Sequence, residues 1–153
     1  MVTLSHQEVI QPEYYTNFIS LGFFCSPARV LKGLGLRTYS GPFDWTISPW
    51  NSVWELFNNN FADFLNYDDL YQASFNPDYY INKRYNISFY HDFSRYSSLA
   101  EQIDKVAAKY KRRIDRFYKE LSNPTMLIRY IQNEAELRTL EMDYNLITLA
   151  IKY

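Results

Sequence analysis

The sequence predicts an α/β domain, with a mostly parallel central sheet and helices packed on its faces. Three observations carry this expectation. Hydrophobic residues make up 47% of the 153-residue chain, enough to bury a core and too many for a disordered polymer. From His91 onward the pattern reads strand, helix, strand, helix, strand, the order that right-handed crossovers produce. The start of the chain follows the same scheme, a strand and then a helix.

Met1 to Tyr15 is mixed and polar, with neither the basic start nor the apolar stretch of a signal peptide. Phe18–Leu21 reads as a buried strand that Gly22 ends. Ser26-Pro27 then supplies a cap and a first-turn proline for a helix through Lys32, which Gly33 and Gly35 stop. Residues 38–42 form a turn. Ser48-Pro49 starts a second helix, where Trp50, Val53, Trp54 and Phe57 fall at i, i+3, i+4 and i+7, and Asn58-Asn59-Asn60 ends it. Residues 61–76 are irregular.

Tyr79–Ile81 and Tyr85–Tyr90 read as a hairpin around Asn82-Lys83-Arg84. The clearest helix follows, because Leu99, Ile103, Val106, Tyr110, Ile114, Phe117 and Leu121 step by three or four. Its basic residues alternate with acids, which predicts a solvated, salt-bridged face. Asn123-Pro124 breaks that helix, and Met126–Ile131 is a strand with Arg129 inside it. Asn133 caps a short helix carrying Ala135, Leu137 and Leu140, and Leu146–Ile151 reads as a last buried strand. Residues 1–153 are expected to form a single domain with 1–16 as an N-terminal arm. The terminal apolar strand leaves open whether the C-terminus is complete.

Composition narrows function by exclusion. The net charge of −1 gives no pull toward nucleic acid or a membrane surface, and no apolar run is long enough to span a bilayer. One cysteine forms no internal disulfide, and with two histidines it makes a poor zinc set, so neither metal nor other cofactor is expected. A cytoplasmic domain is the default, its oligomeric state open. The 15 Tyr, 11 Phe and 3 Trp suit a core more than a stacking site.

In an open α/β sheet, ligands gather beyond the carboxyl ends of the strands. That frame brings together Cys25, the segment His91-Asp92-Phe93, and Gln132-Asn133. Cys25 falls beside a helix N-terminus, where aligned peptide dipoles favour a thiolate. A thiol nucleophile needs a base and a group to orient it. His91 is the natural base, since His6 lies in the polar arm, and Asp44 or Asp92 is the orienter. Arg129 in an apolar run wants a carboxylate partner or an anionic ligand. Trp45 and Asn133 complete the expected substrate-binding set.

The strings Ile19–Ala28 with Leu34–Arg37, then Gly41–Trp45, His91–Phe93, and Tyr110–Phe117 leading to Leu127–Arg129, resemble the uncharacterised bacterial family of putative papain-like cysteine peptidases. The resemblance covers the chain from about Phe18 onward. It implies a cysteine hydrolase with Cys25 as nucleophile and His91 as base. It also implies a papain-like α+β fold, antiparallel after the first helix, where the periodicity reads parallel. Peptide, ester and glycan-linked substrates are all compatible with a thiolate. The alternative is a non-catalytic domain whose aromatic-lined pocket, with Arg129 at its base, holds a glycan or an anionic small molecule.

Overall fold

The computed structural model describes residues 15–151, with side chains through Glu141-Met142; most of the expected N-terminal arm lies outside the described residues. Six strands and four helices alternate along the chain: β1 (Asn17–Ser20), α1 (Ser26–Gly33), β2 (Thr46–Ile47), α2 (Trp50–Asn58), β3 (Leu70–Gln72), β4 (Tyr80–Asn82), β5 (Ile87–Phe89), α3 (Leu99–Glu120), β6 (Thr125–Ile128) and α4 (Glu134–Ile151). This mixture of helices and strands agrees with the α/β class. The parallel component is the β1–β6 pair, in register from Asn17 opposite Thr125 to Ser20 opposite Ile128. The larger sheet is antiparallel, in the order β2-β5-β4-β3.

Parallel pairing is therefore narrower than the strand–helix alternation predicts. The strand before α3 pairs with its hairpin partner β4 and with β2, and does not lie beside β6. Hairpin closure across a few residues is entropically cheap, so local pairing captures β5. A second difference lies at the C-terminal end, where α4 continues through Ile151 and the strand expected at Leu146–Ile151 is helical. A six-residue apolar run does not distinguish strand from buried helix, and Tyr144-Asn145 is too weak a breaker to stop one already running.

Local chemistry explains the well-predicted elements. At the start of α3, Ser98 and Glu101 form a reciprocal capping box, in which the Glu101 carboxylate takes the Ser98 N–H at 2.7 Å. The apolar stripe of α3 buries Val106, Tyr110 and Phe117. Tyr110 packs on Phe64 and Phe89 beneath the antiparallel sheet, while Phe117 meets Phe43, Phe57 and Phe61 edge-on. One buried cluster thus joins β1, α2, the hairpin and α3, and accounts for much of the aromatic content. Asn82, fully buried, ties the hairpin to the turn after α2: its amide donates to the carbonyls of Asp63 and Phe64, and its oxygen accepts the Tyr85 N–H.

Candidate active site

Cys25 stands where β1 gives way to α1. The loop between them is pinned on both sides: Leu21 N–H donates to Ile128 O at 2.7 Å, Tyr130 N–H to Gly22 O at 3.0 Å, and Ser48 N–H to Phe23 O at 2.8 Å. Gly22 has φ +78°, and a Cβ there would fall 2.5 Å from Ser48 Oγ, so only glycine fits. Cys25 itself is the N-cap residue and Ser26 the first helical one, one position earlier than the sequence predicts. The Cys25 carbonyl accepts Arg29 N–H at 3.0 Å, and no side chain caps the helix. The amides of Ser26 and Ala28 in the first turn therefore remain available near the sulfur, whereas Pro27 has none to offer.

The half-buried thiol opens on a cleft shared with Phe24, Ser26, Arg29 and Val30. Its polar neighbour is Tyr90, whose phenol lies close enough to Cys25 for the two groups to influence each other's charge. Burial first, and the neighbouring Cys25 second, push the Tyr90 phenol well above its usual range, so it stays neutral. Sequence reasoning did not single out Tyr90. The available signal was strand alternation, which sends Phe89 into the core and Tyr90 to the other face.

The Tyr90 ring lies 4.2 Å from the His91 ring, and His91 meets Trp45 edge-on at 5.7 Å. His91, Asp92 and Trp45 line a second cleft together with Lys109 and Arg113. Tyr90 thus neighbours both Cys25 and His91, and these two line separate clefts. The Asp92 carboxylate is only 2% exposed; it takes a 2.8 Å bond from the Tyr110 hydroxyl and pairs with Lys109 at 2.5 Å. Burial and the Asp92 charge hold Tyr110 protonated far above the ordinary tyrosine range.

Asp44 is held just as firmly. Arg37 Nε donates to its carboxylate at 2.7 Å and the Gly41 N–H at 3.0 Å, closing the turn between them. Burial pushes the Asp44 carboxyl up, against the downward pull of Arg37 and that N–H. The Arg37 guanidinium also sits 5.5 Å over the Trp45 ring, which places Asp44 behind the His91 cleft.

Arg129 and Asn133 take structural partners. The Arg129 guanidinium, 3% exposed, donates to Leu21 O at 2.8 Å, Ser48 O at 2.9 Å and Glu136 at 2.6 Å, and lies over the Trp50 ring. Its expected carboxylate partner is Glu136, and all three guanidinium nitrogens are engaged by structural partners. Asn133 Oδ1 accepts Glu136 N–H at 2.9 Å, the helix cap that the sequence predicts. Both residues belong to the β6–α4 junction, near Cys25 through the Phe24–Tyr130 ring contact at 5.0 Å.

With this geometry in place, comparison with known proteins is informative. Residues 16–151 match the family described as "Putative papain-like cysteine peptidase", and the chain belongs to that family. An uncharacterised protein of Acanthamoeba polyphaga mimivirus is 32% identical over 139 residues, covering 78% of this chain. The chain spans 62% of that relative's length. The relative is viral, so the bacterial restriction of the expected family is not carried forward. No solved structure matches. Among the described residues, no helix is long and apolar enough to cross a membrane.

Proposed function

We propose that this chain is a cysteine hydrolase or acyl-transfer enzyme of a reducing, cytoplasmic-type compartment, with Cys25 as nucleophile and His91 as general base. The observation that carries this reading is the position of Tyr90: one phenol neighbours Cys25 and packs its ring on the imidazole. The reading requires the exposed His91 ring to move to the sulfur from its own cleft, and catalytic hydrogen bonds often tighten only with substrate present. Asp92, which lines the His91 cleft and is held by Lys109 and Tyr110, and Asp44, held by Arg37 and Gly41, are the two candidate orienters. Once Cys25 attacks a carbonyl, the oxyanion finds donors in the first-turn amides of α1 and in the Tyr90 hydroxyl. Peptide, ester and glycan-linked acyl groups all remain candidate substrates.

The test is chloroacetamide labelling of the native protein. His91→Gln should slow labelling of Cys25 by about tenfold or more, the scale of general-base assistance, while both proteins label equally in urea. Equal native rates would remove His91 from the mechanism. A fully protected native thiol would favour the other reading, a binding domain with a buried cysteine.

A further inference from the structure

The basic face of α3 is not uniformly salt-bridged. Lys109, Arg112, Arg113 and Arg116 fall at i, i+3, i+4 and i+7, one stripe of the helix. Together with Ser40 from the facing turn they line a cleft of about 210 Å³ that has no carboxylate in its wall. Lys109 and Arg113 also line the His91 cleft, so the two clefts are adjacent.

The nearby acids are engaged elsewhere. Asp44 pairs with Arg37, Asp92 with Lys109, Asp115 with Lys111, and Glu120 accepts from Asn123. Among the described residues, Arg112, Arg113 and Arg116 make no ion pair. Arg113 is held by its face against the Tyr110 ring at 5.0 Å, and its Nη1 is buried without a hydrogen-bond partner. Arg116 lies 5.1 Å over the Tyr39 ring, and the Tyr39 hydroxyl is likewise buried and unpaired. Like charges stacked a helical turn apart repel, and a buried guanidinium nitrogen with no acceptor is costly. An anion in the cleft relieves the repulsion between the stripe's charges.

We propose that this cleft is a binding site for a compact, multiply charged oxyanion of the phosphoryl type, carried by a small ligand next to His91. Three guanidinium forks and a hydroxyl, beside an ammonium already paired with Asp92, offer more donors than one carboxylate accepts, whereas a phosphoryl group presents three strong acceptor oxygens and close to two charges. Arginine forks match that geometry in a bidentate manner. If Cys25 and His91 form the reacting pair, the site holds the anionic end of their substrate; binding itself does not require that pair.

The probe is inorganic pyrophosphate, followed by calorimetry on the full chain at constant ionic strength. Saturable binding is expected. Arg112→Gln/Arg116→Gln, both exposed positions, should weaken it roughly tenfold or more, the value of one charge-assisted hydrogen bond. Lys105→Gln/Lys119→Gln, which removes the same charge elsewhere on α3, should stay within about twofold. Cys25→Ser should bind pyrophosphate as the parent does, which separates this test from the labelling test above. The proposal is overturned if pyrophosphate does not saturate, or if the Lys105/Lys119 variant loses as much as the arginine variant. It is also overturned if a single-stranded oligonucleotide binds where pyrophosphate does not, which would make the stripe a polyanion face.

Discussion

Replacing Arg129 by methionine keeps the aliphatic stem and removes a guanidinium that fastens four segments at once. Its partners are Leu21 O at the end of β1, Ser48 O ahead of α2, and the Glu136 carboxylate in α4, reached from the end of β6. The Arg129 and Glu136 side chains are 3% and 8% exposed. The variant therefore leaves a carboxylate nearly sealed from water without its counter-charge, together with two carbonyls short of a donor. Breaking one side of such a pair costs about 3–5 kcal/mol, a large part of the 5–15 kcal/mol, roughly, that a domain has in total. The expected fall in Tm is on the order of 10 °C for a chain of this length.

Urea unfolding followed by circular dichroism measures the loss directly, and a cycle with Glu136→Leu separates the pair from its surroundings. The double variant should recover about 1–3 kcal/mol relative to the sum of the singles, since the orphaned charge is then gone. A cost below about 1 kcal/mol for Arg129→Met, with no coupling to Glu136, would refute the assignment of Arg129 as a structural clamp. It would return Arg129 to the list of ligand-binding groups.

Asp44→Asn should cost about 2–4 kcal/mol, because it leaves Arg37 without its counter-charge and weakens the bond to the Gly41 N–H. If Asp44 instead orients His91, urea midpoints should hold while native Cys25 labelling slows. Bonds from the Ser98 N–H and hydroxyl pull the Glu101 carboxyl below its usual 4.5. A depressed carboxylate contributes stability that is fully present above 4.5 and lost as pH falls through the lower folded value. Amide exchange in the first turn of α3 should therefore rise in acid, and Glu101→Gln should abolish that step. Titration of Glu101 at or above 4.5, followed by carboxyl NMR shifts, would contradict the capping box.

Several features were legible because short-range chemistry determines them. The three-or-four stepping from Leu99 to Leu121 defines α3, Pro27 fixes the first turn of α1, and the hairpin declares itself by two aromatic runs around Asn82-Lys83-Arg84. Cys25 at a helix start, His91 at a strand end and Asn133 as a cap follow from the same local rules. What the order of residues left undetermined depends on contacts between distant segments. The direction of pairing for β5, the extension of α4 over an apolar run that also suits a strand, and the partner of Arg129 all lie in that class. So does the proximity of Cys25 and Tyr90, 65 positions apart in sequence. Periodicity reports which face of an element is apolar, but not which other face it meets. Tertiary packing therefore decided that a phenol neighbours both thiol and imidazole, and that three arginines of α3 line a cleft whose wall holds no carboxylate.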